Sequence, residues 1–174
     1  SKNMEQNMRI RALIDIANGH IKYMQDIITE AKQLAKELQY DIEIMAGNVA
    51  NPETYKLLSE AGADYVRCAV GTGSCCITSS NTATHYAMAS LLDNCRQLKT
   101  QYHLRAAIIA DGGINSYSNA IKALALGADY VMVGGLFSSF LESAAKISFN
   151  GDVEYKYKKQ SGGHGQYGHV KMTF

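Results

Sequence analysis

Two seven-residue phrases in this chain are near duplicates: Glu60-Ala61-Gly62-Ala63-Asp64-Tyr65-Val66 and Ala125-Leu126-Gly127-Ala128-Asp129-Tyr130-Val131. Each reads as the end of a helix, a glycine that stops it, and the first residues of a strand. A helix-to-strand junction that recurs implies a βα unit repeated along the chain, and repeated βα units build a parallel sheet covered by helices. An open doubly wound sheet and a (β/α)8 TIM barrel both satisfy that pattern. The recurrence of one junction favours the barrel.

The rest of the chain has the same grammar. Strands are expected at Ile10–Ile16, Asp41–Val49, Asp64–Cys68, Arg105–Ala110 and Asp129–Val133. The run Ala106-Ala107-Ile108-Ile109-Ala110 is apolar throughout, as a strand buried on both faces requires. Between the strands, Ile21 to Gln39 carries apolar residues at helical spacing, including Met24, Ile28, Ala31 and Ala35. Asn51-Pro52 is an N-cap followed by a proline at the first helical position, and that helix stops at Gly62. Further helices are expected over Asn81–Tyr102, Ser116–Leu126 and from about Leu136 to Ala145. The expected organisation is a polar lead-in at 1–9, a barrel segment at 10–146 and a separate tail at 147–174.

Composition narrows the class. A chain of 174 residues suggests one domain. The net charge of +1 gives no bulk attraction to nucleic acid or a membrane surface. The short run Lys156-Tyr157-Lys158-Lys159 reads as solvated surface. No apolar run approaches the ~20 residues that span a bilayer. Four cysteines, two of them adjacent at 75 and 76, do not form a disulfide scaffold, so a reducing, cytoplasmic setting is expected.

Polar and glycine residues cluster just after the strands, which in a barrel places them all on the C-terminal face where the active site lies. They are Asp15, Asn18 and Gly19; Gly47 and Asn48; Gly71 to Thr78; Asp111-Gly112-Gly113; and Gly134-Gly135. A lone glycine pair usually closes a tight turn. Two such pairs after successive strands, with Gly73-Ser74 in an earlier loop, point instead to a phosphate site built from backbone N–H groups. Asp111 is placed to accept hydrogen bonds from a ribose diol, although an isolated Asp there also serves as a cap. Asp15 with Asn18 is placed to orient a polar ring or amide, against the plainer reading of a strand-end turn. In Gly71-Thr72-Gly73-Ser74-Cys75-Cys76-Ile77-Thr78, Cys76 is a candidate nucleophile with a hydroxyl nearby at Thr78. Cys75 competes with it, or packs as a small apolar residue.

These stretches, in this order and spacing, resemble the IMP dehydrogenase/GMP reductase family over about residues 10–146. Asp15-Ile16-Ala17-Asn18-Gly19 and the pair Gly134-Gly135 look more like GMP reductase than the dehydrogenase. The resemblance implies a TIM barrel that converts GMP to IMP and ammonia with NADPH through a covalent Cys–purine adduct. It implies catalytic roles for Cys76, Thr78 and Glu142, with register favouring Cys76 over Cys75. It places Ser74, Asp111, Gly112, Gly113, Gly134 and Gly135 on the nucleotide, and Asp15, Asn18, Gly19 and Asn48 near the cofactor. The carbonyls of Gly71, Gly73 and Cys76 resemble the family's monovalent-cation loop, with K+ implied. A cytoplasmic homotetramer follows by the same resemblance. Two alternatives stand beside it. One is IMP dehydrogenase, which oxidises IMP with NAD and needs a mobile flap with an Arg-Tyr pair that does not appear after Glu142. The other is a non-catalytic purine-nucleotide-binding module.

Two departures matter. Five strands are visible, the resemblance begins at what would be a barrel's fourth strand, and a full barrel typically needs ~250 residues. This chain by itself is therefore expected to be inactive. The segment 151–174 departs from the family and resembles a short piece of domain IV of elongation factor G. It reads as two strands, Val153–Lys159 and His169–Phe174, joined by a glycine loop, with His164 and His169 as surface residues rather than metal ligands.

Overall fold

A computed structural model describes residues 9–16, 19–69, 86–138, 148–150, 153–161 and 164–173. Strands β1 (Arg9–Asp15), β2 (Asp41–Val49), β3 (Tyr65–Cys68), β4 (Ala107–Asp111) and β5 (Tyr130–Met132) alternate with helices α1 (Lys22–Glu37), α2 (Pro52–Glu60), α3 (Met88–Gln101) and α4 (Tyr117–Ala125). A single 3-10 turn, Gly135–Phe137, follows β5. All four strand pairings are parallel, and the sheet order is the chain order, β1-β2-β3-β4-β5. Right-handed crossovers that always step in one direction lay every helix on the same face of the sheet. In agreement, α1 packs on α2 and α2 on α3. The sheet is thus an arc of five consecutive parallel strands of a barrel wall, four of them followed by described helices, the α/β architecture expected from the repeated junctions.

Side-chain alternation sorts the two faces. Ile44, Ala46, Val66, Cys68, Ile108 and Ala110 turn toward the helices and are buried with Met24, Ile28, Tyr55, Leu58, Leu91 and Leu92. Each fully buried Val, Leu, Ile or Met among them stabilises by about 1.5–3 kcal/mol relative to exposure. The opposite face carries Leu13, Met45, Tyr65 and Ala107, aligned across four strands by the register. There a cavity of ≈ 380 Å³ is lined by Arg11, Leu13, Glu43, Met45 and Tyr65 among others.

The duplicated junction has one structural role in both places. Asp64 Oδ2 accepts the Ile44 N–H at 2.7 Å and Lys32 Nζ at 2.6 Å. Asp129 Oδ2 accepts the Ile108 N–H at 2.7 Å and Lys99 Nζ at 2.6 Å. Each aspartate ties the start of its own strand to the preceding strand in the sheet and to a helix lying over it. Gly62 and Gly127, with φ of 108° and 111°, end the preceding helices in a conformation that L side chains rarely adopt. Asn51 caps α2 by accepting the Thr54 N–H at 2.8 Å, with Pro52 as its first residue.

Strand boundaries shift by one or two residues from expectation, and α3 starts later than the sequence suggested. Ala87 is extended, with φ −61° and ψ 119°, so this helix begins at Met88; residues 81–85 of the expected segment lie outside the described residues. Tyr86 instead accepts a hydrogen bond from Asn94 Nδ2 at 2.8 Å, which fixes the entry to the helix. Of the expected helix from Leu136 to Ala145, the 3-10 turn holds the described part; residues 139–147 lie outside the described residues.

The tail forms a hairpin as expected, with longer strands. β7 (Val153–Ser161) pairs antiparallel with β8 (His164–Thr173), and Ser161 pairs with His164, so residues 162 and 163 alone separate the strands. His164 therefore lies in a strand, not in a long loop. β6 (Ser148–Asn150) adds to β8 in parallel. No helix among the described residues is long and apolar enough to cross a membrane.

Candidate active site

Four strands end in one polar network. Asp15 is the last residue of β1, Asn48 lies next to last in β2, Arg67 is in β3, and Asp111 is the last residue of β4. Arg67 Nη1 lies 2.9 Å from Asp15 Oδ1. Its Nε and Nη2 donate to Asp111 Oδ2 at 2.9 and 2.7 Å. Asn48 Nδ2 donates to the same oxygen at 2.7 Å. The Arg67 side chain is 5% exposed, and a charge removed from water to that extent needs ionic partners. Asp15 and Asp111 supply them.

Local backbone geometry creates the arrangement. β2 and β3 pair Gly47 with Arg67 and then Val49 with Cys68, so Asn48 is the extra residue of a bulge. A bulge re-aims a side chain that regular alternation would send elsewhere, and here Asn48 meets Asp111. Gly47 is required by close approach: a Cβ there would stand 2.6 Å from the Arg67 Cβ and 2.9 Å from the Arg67 carbonyl oxygen. Gly19 is held just as tightly. Its N–H donates to the Asn48 carbonyl at 2.9 Å, and a Cβ would come within 2.8 Å of that oxygen. The backbone around Asn48 is further fixed by the Asn48 N–H to Ile16 carbonyl bond and the Ile16 N–H to Gly47 carbonyl bond, both 2.8 Å.

Asn48 is nine-tenths buried, and its Oδ1 is the one buried side-chain polar atom among the described residues without a hydrogen-bond partner. The contact to a carboxylate fixes which end of the amide is nitrogen. Oδ1 is therefore an acceptor that suits an N–H or O–H donor from a ligand.

The other expected residues fall around this network. Gly112 and Gly113 follow Asp111 with φ of 102° and 71° and lead to α4, whose cap Ser116 accepts the Asn119 N–H at 3.2 Å. At Gly134 and Gly135 an added Cβ would meet nothing within 4 Å. His20 is exposed beside the start of α2, with its Nδ1 facing Thr54 Oγ1 and Asn51 Nδ2. Cys76, Thr78, Glu142, Ser74, Gly71, Gly73 and Asn18 lie outside the described residues. The structure thus joins Asp15, Asn48 and Asp111 directly, with Gly19 against the Asn48 backbone and Gly112 and Gly113 next in the chain. The central member, Arg67, is absent from the sequence-derived set. Its signal was strand alternation: Arg67 shares a face with Tyr65, opposite Val66 and Cys68, and a charge inside a barrel wall demands partners.

Cys68 and Cys95 are buried free thiols on the helix side of the sheet. The hydrogen bond with Cys95 and burial both push the Cys68 thiol up, which suits packing rather than nucleophilic chemistry.

Against known proteins, residues 6–172 match the IMP dehydrogenase / GMP reductase domain family. The match takes in the tail. The GMP reductase of Streptococcus gordonii is 36% identical over 157 residues, covering 88% of this chain and 44% of the relative. The inosine-5'-monophosphate dehydrogenase of Chlorobaculum parvum is 38% identical over 130 residues, covering 75% of this chain and 25% of the relative. Among solved structures, a GMP reductase variant of Trypanosoma brucei in complex with guanosine 5'-monophosphate superposes with a TM-score of 0.65 at 30% identity, covering 72% of this chain and 25% of that one. The chain spans between a quarter and less than half the length of these proteins.

Proposed function

The chain belongs to the IMP dehydrogenase / GMP reductase family, and we propose that it carries the nucleotide and nicotinamide subsites of a GMP reductase-like oxidoreductase. The observation that carries this reading is the convergence of Asp15, Asn48 and Asp111 on one network at the C-terminal strand ends, where a barrel enzyme binds its substrate. A relative in complex with GMP supports the choice of ligand.

Asp111 receives the ribose hydroxyls, and the Gly112-Gly113 and Gly134-Gly135 loops with Ser74 hold the phosphate. The Cys76 thiolate adds to C2 of GMP. Ammonia then leaves, taking a proton from the Thr78–Glu142 pair. NADPH would supply the hydride that reduces the covalent adduct to IMP and returns the Cys76 thiolate. Asp15, Asn18, Gly19 and Asn48 would hold that cofactor, with the unpartnered Asn48 Oδ1 as an acceptor for one of its N–H groups. By the same family resemblance the carbonyls of Gly71, Gly73 and Cys76 would hold a monovalent cation, K+. We place the protein as a homotetramer in the cytoplasm.

The test is NADPH absorbance in the natural full-length protein carrying this sequence. GMP should accelerate its loss, and Cys76→Ala should return the rate to background. NAD-dependent oxidation of IMP would assign the dehydrogenase activity instead. Tight purine-nucleotide binding with neither reaction would make the protein a non-catalytic binding module.

A further inference from the structure

We propose that Arg67 is a positioning residue that couples the two ligand subsites, making nucleotide and dinucleotide bind cooperatively. The assignment of Asp111 to the nucleotide and Asp15 to the dinucleotide rests on the functional reading above. The bridge between them is a geometric fact of this chain.

Arg67 stands on β3, the middle strand of the sheet, and contacts carboxylates on β1 and β4. Its guanidinium is planar, with five donors in a fixed fork. Nη1 serves Asp15, while Nε and Nη2 both serve Asp111. One rigid plane thus contacts both carboxylates, so a movement of either is transmitted to the other through Arg67. The sheet reserves the space for this side chain, because Gly47 opposite it lacks the Cβ that would strike the Arg67 Cβ at 2.6 Å. Asn48 adds β2, the fourth strand, to the link through its 2.7 Å bond to Asp111, and its buried Oδ1 remains as an unpartnered acceptor beside it.

A ligand that orders Asp111 therefore orders Arg67 and, through it, Asp15. The second ligand then meets a carboxylate already fixed, and its ordering cost is smaller. By linkage the effect is reciprocal. Lys at this position keeps the charge and three donors, enough to contact two carboxylates without the fixed plane. Met keeps the apolar stem and loses the bridge.

The experiment titrates NADP, the oxidised cofactor that cannot reduce GMP, into the natural full-length protein with and without saturating GMP, and GMP with and without NADP, by intrinsic fluorescence and calorimetry. NADH with IMP, also a non-reacting pair, is run in parallel. In the unaltered protein each ligand should tighten the other by about tenfold, within the usual range of coupling between sites. In Arg67→Met the ratio should collapse to about one, whatever happens to the separate affinities, and Arg67→Lys should restore part of it. A loss of packing alone would weaken each ligand without changing the ratio. Where Arg67→Met does not fold, Arg67→Gln, which reaches one carboxylate only, should show the same collapse. An unchanged ratio in the folded variant overturns the coupling and leaves the enzyme assignment standing. A ratio of one in an unaltered protein that turns over GMP does the same. Absence of binding to all four ligands overturns the assignment and the coupling together.

Discussion

One oxygen, Asp111 Oδ2, accepts from Asn48 Nδ2 and from two nitrogens of Arg67. Charge-assisted bonds of this kind are roughly twice as strong as neutral ones, and three on one atom make Asp111 the point on which the network closes. Asp111→Ala leaves Arg67, 5% exposed, with Asp15 as its remaining ion pair, and should cost about 3 kcal/mol, the lower end for breaking a buried pair. Urea unfolding checks this, and a loss under 1 kcal/mol would mean that Arg67 reaches solvent or a new partner. The positions of Asp15, Asn48 and Asp111 were legible because each stands at the C-terminal end of an apolar strand, where a polar residue stands out. The link between them was not. It depends on the bulge that turns Asn48 and on the inward direction of Arg67, which come from strand register rather than from local sequence.

At the level of elements, the duplicated junction does the same work twice, and its repetition made the fold readable before any coordinates. Asp64 and Asp129 each accept a strand N–H and a lysine. Removal of either carboxylate strands a part-buried N–H, Ile44 or Ile108, at a cost of about 1–3 kcal/mol. The two junctions share no partner, so Asp64→Ala and Asp129→Ala should add to within about 0.5 kcal/mol in the double variant. Thermal or urea unfolding of the four proteins measures this, and a strongly non-additive double would show that the units do not act independently. Helix starts were less readable. Asn51-Pro52 announces α2 through its own chemistry, whereas α3 starts at Met88 without a side-chain cap, so its beginning is set by tertiary contacts such as Tyr86 with Asn94. The tail was legible as two strands, but the extent of each is defined by cross-strand pairing.

For the molecule as a whole, the helix side of the sheet is a closed apolar core, and the opposite side is lined by Arg11, Leu13, Glu43, Met45 and Tyr65 around an open cavity. The Arg9–Asp41 and Arg11–Glu43 pairs on that side are exposed and contribute little to stability. Among the described residues, two core groups give stability a pH dependence above neutrality. Tyr55 is fully buried, donates to the Ala106 carbonyl at 2.8 Å, and is pushed well above its usual range by burial. Cys68 is pushed up by its hydrogen bond with Cys95 and by burial. Both groups keep their protons in the native state at pH values where the unfolded chain has lost them. The unfolded state then binds fewer protons, and stability falls as pH rises. The contribution is complete below the unfolded values, about 8.5 for the thiol and about 10 for the phenol. It is lost as pH climbs from there toward the raised native values. The slope should approach about 1.4 kcal/mol per pH unit for Cys68 above pH 8.5, and roughly double above pH 10 as Tyr55 joins. Urea midpoints measured from pH 7 to 10.5 test this. Cys68→Ala should remove the first slope and Tyr55→Phe the second, while a midpoint that stays level to pH 10.5 would mean that these groups ionise as readily in the fold as outside it.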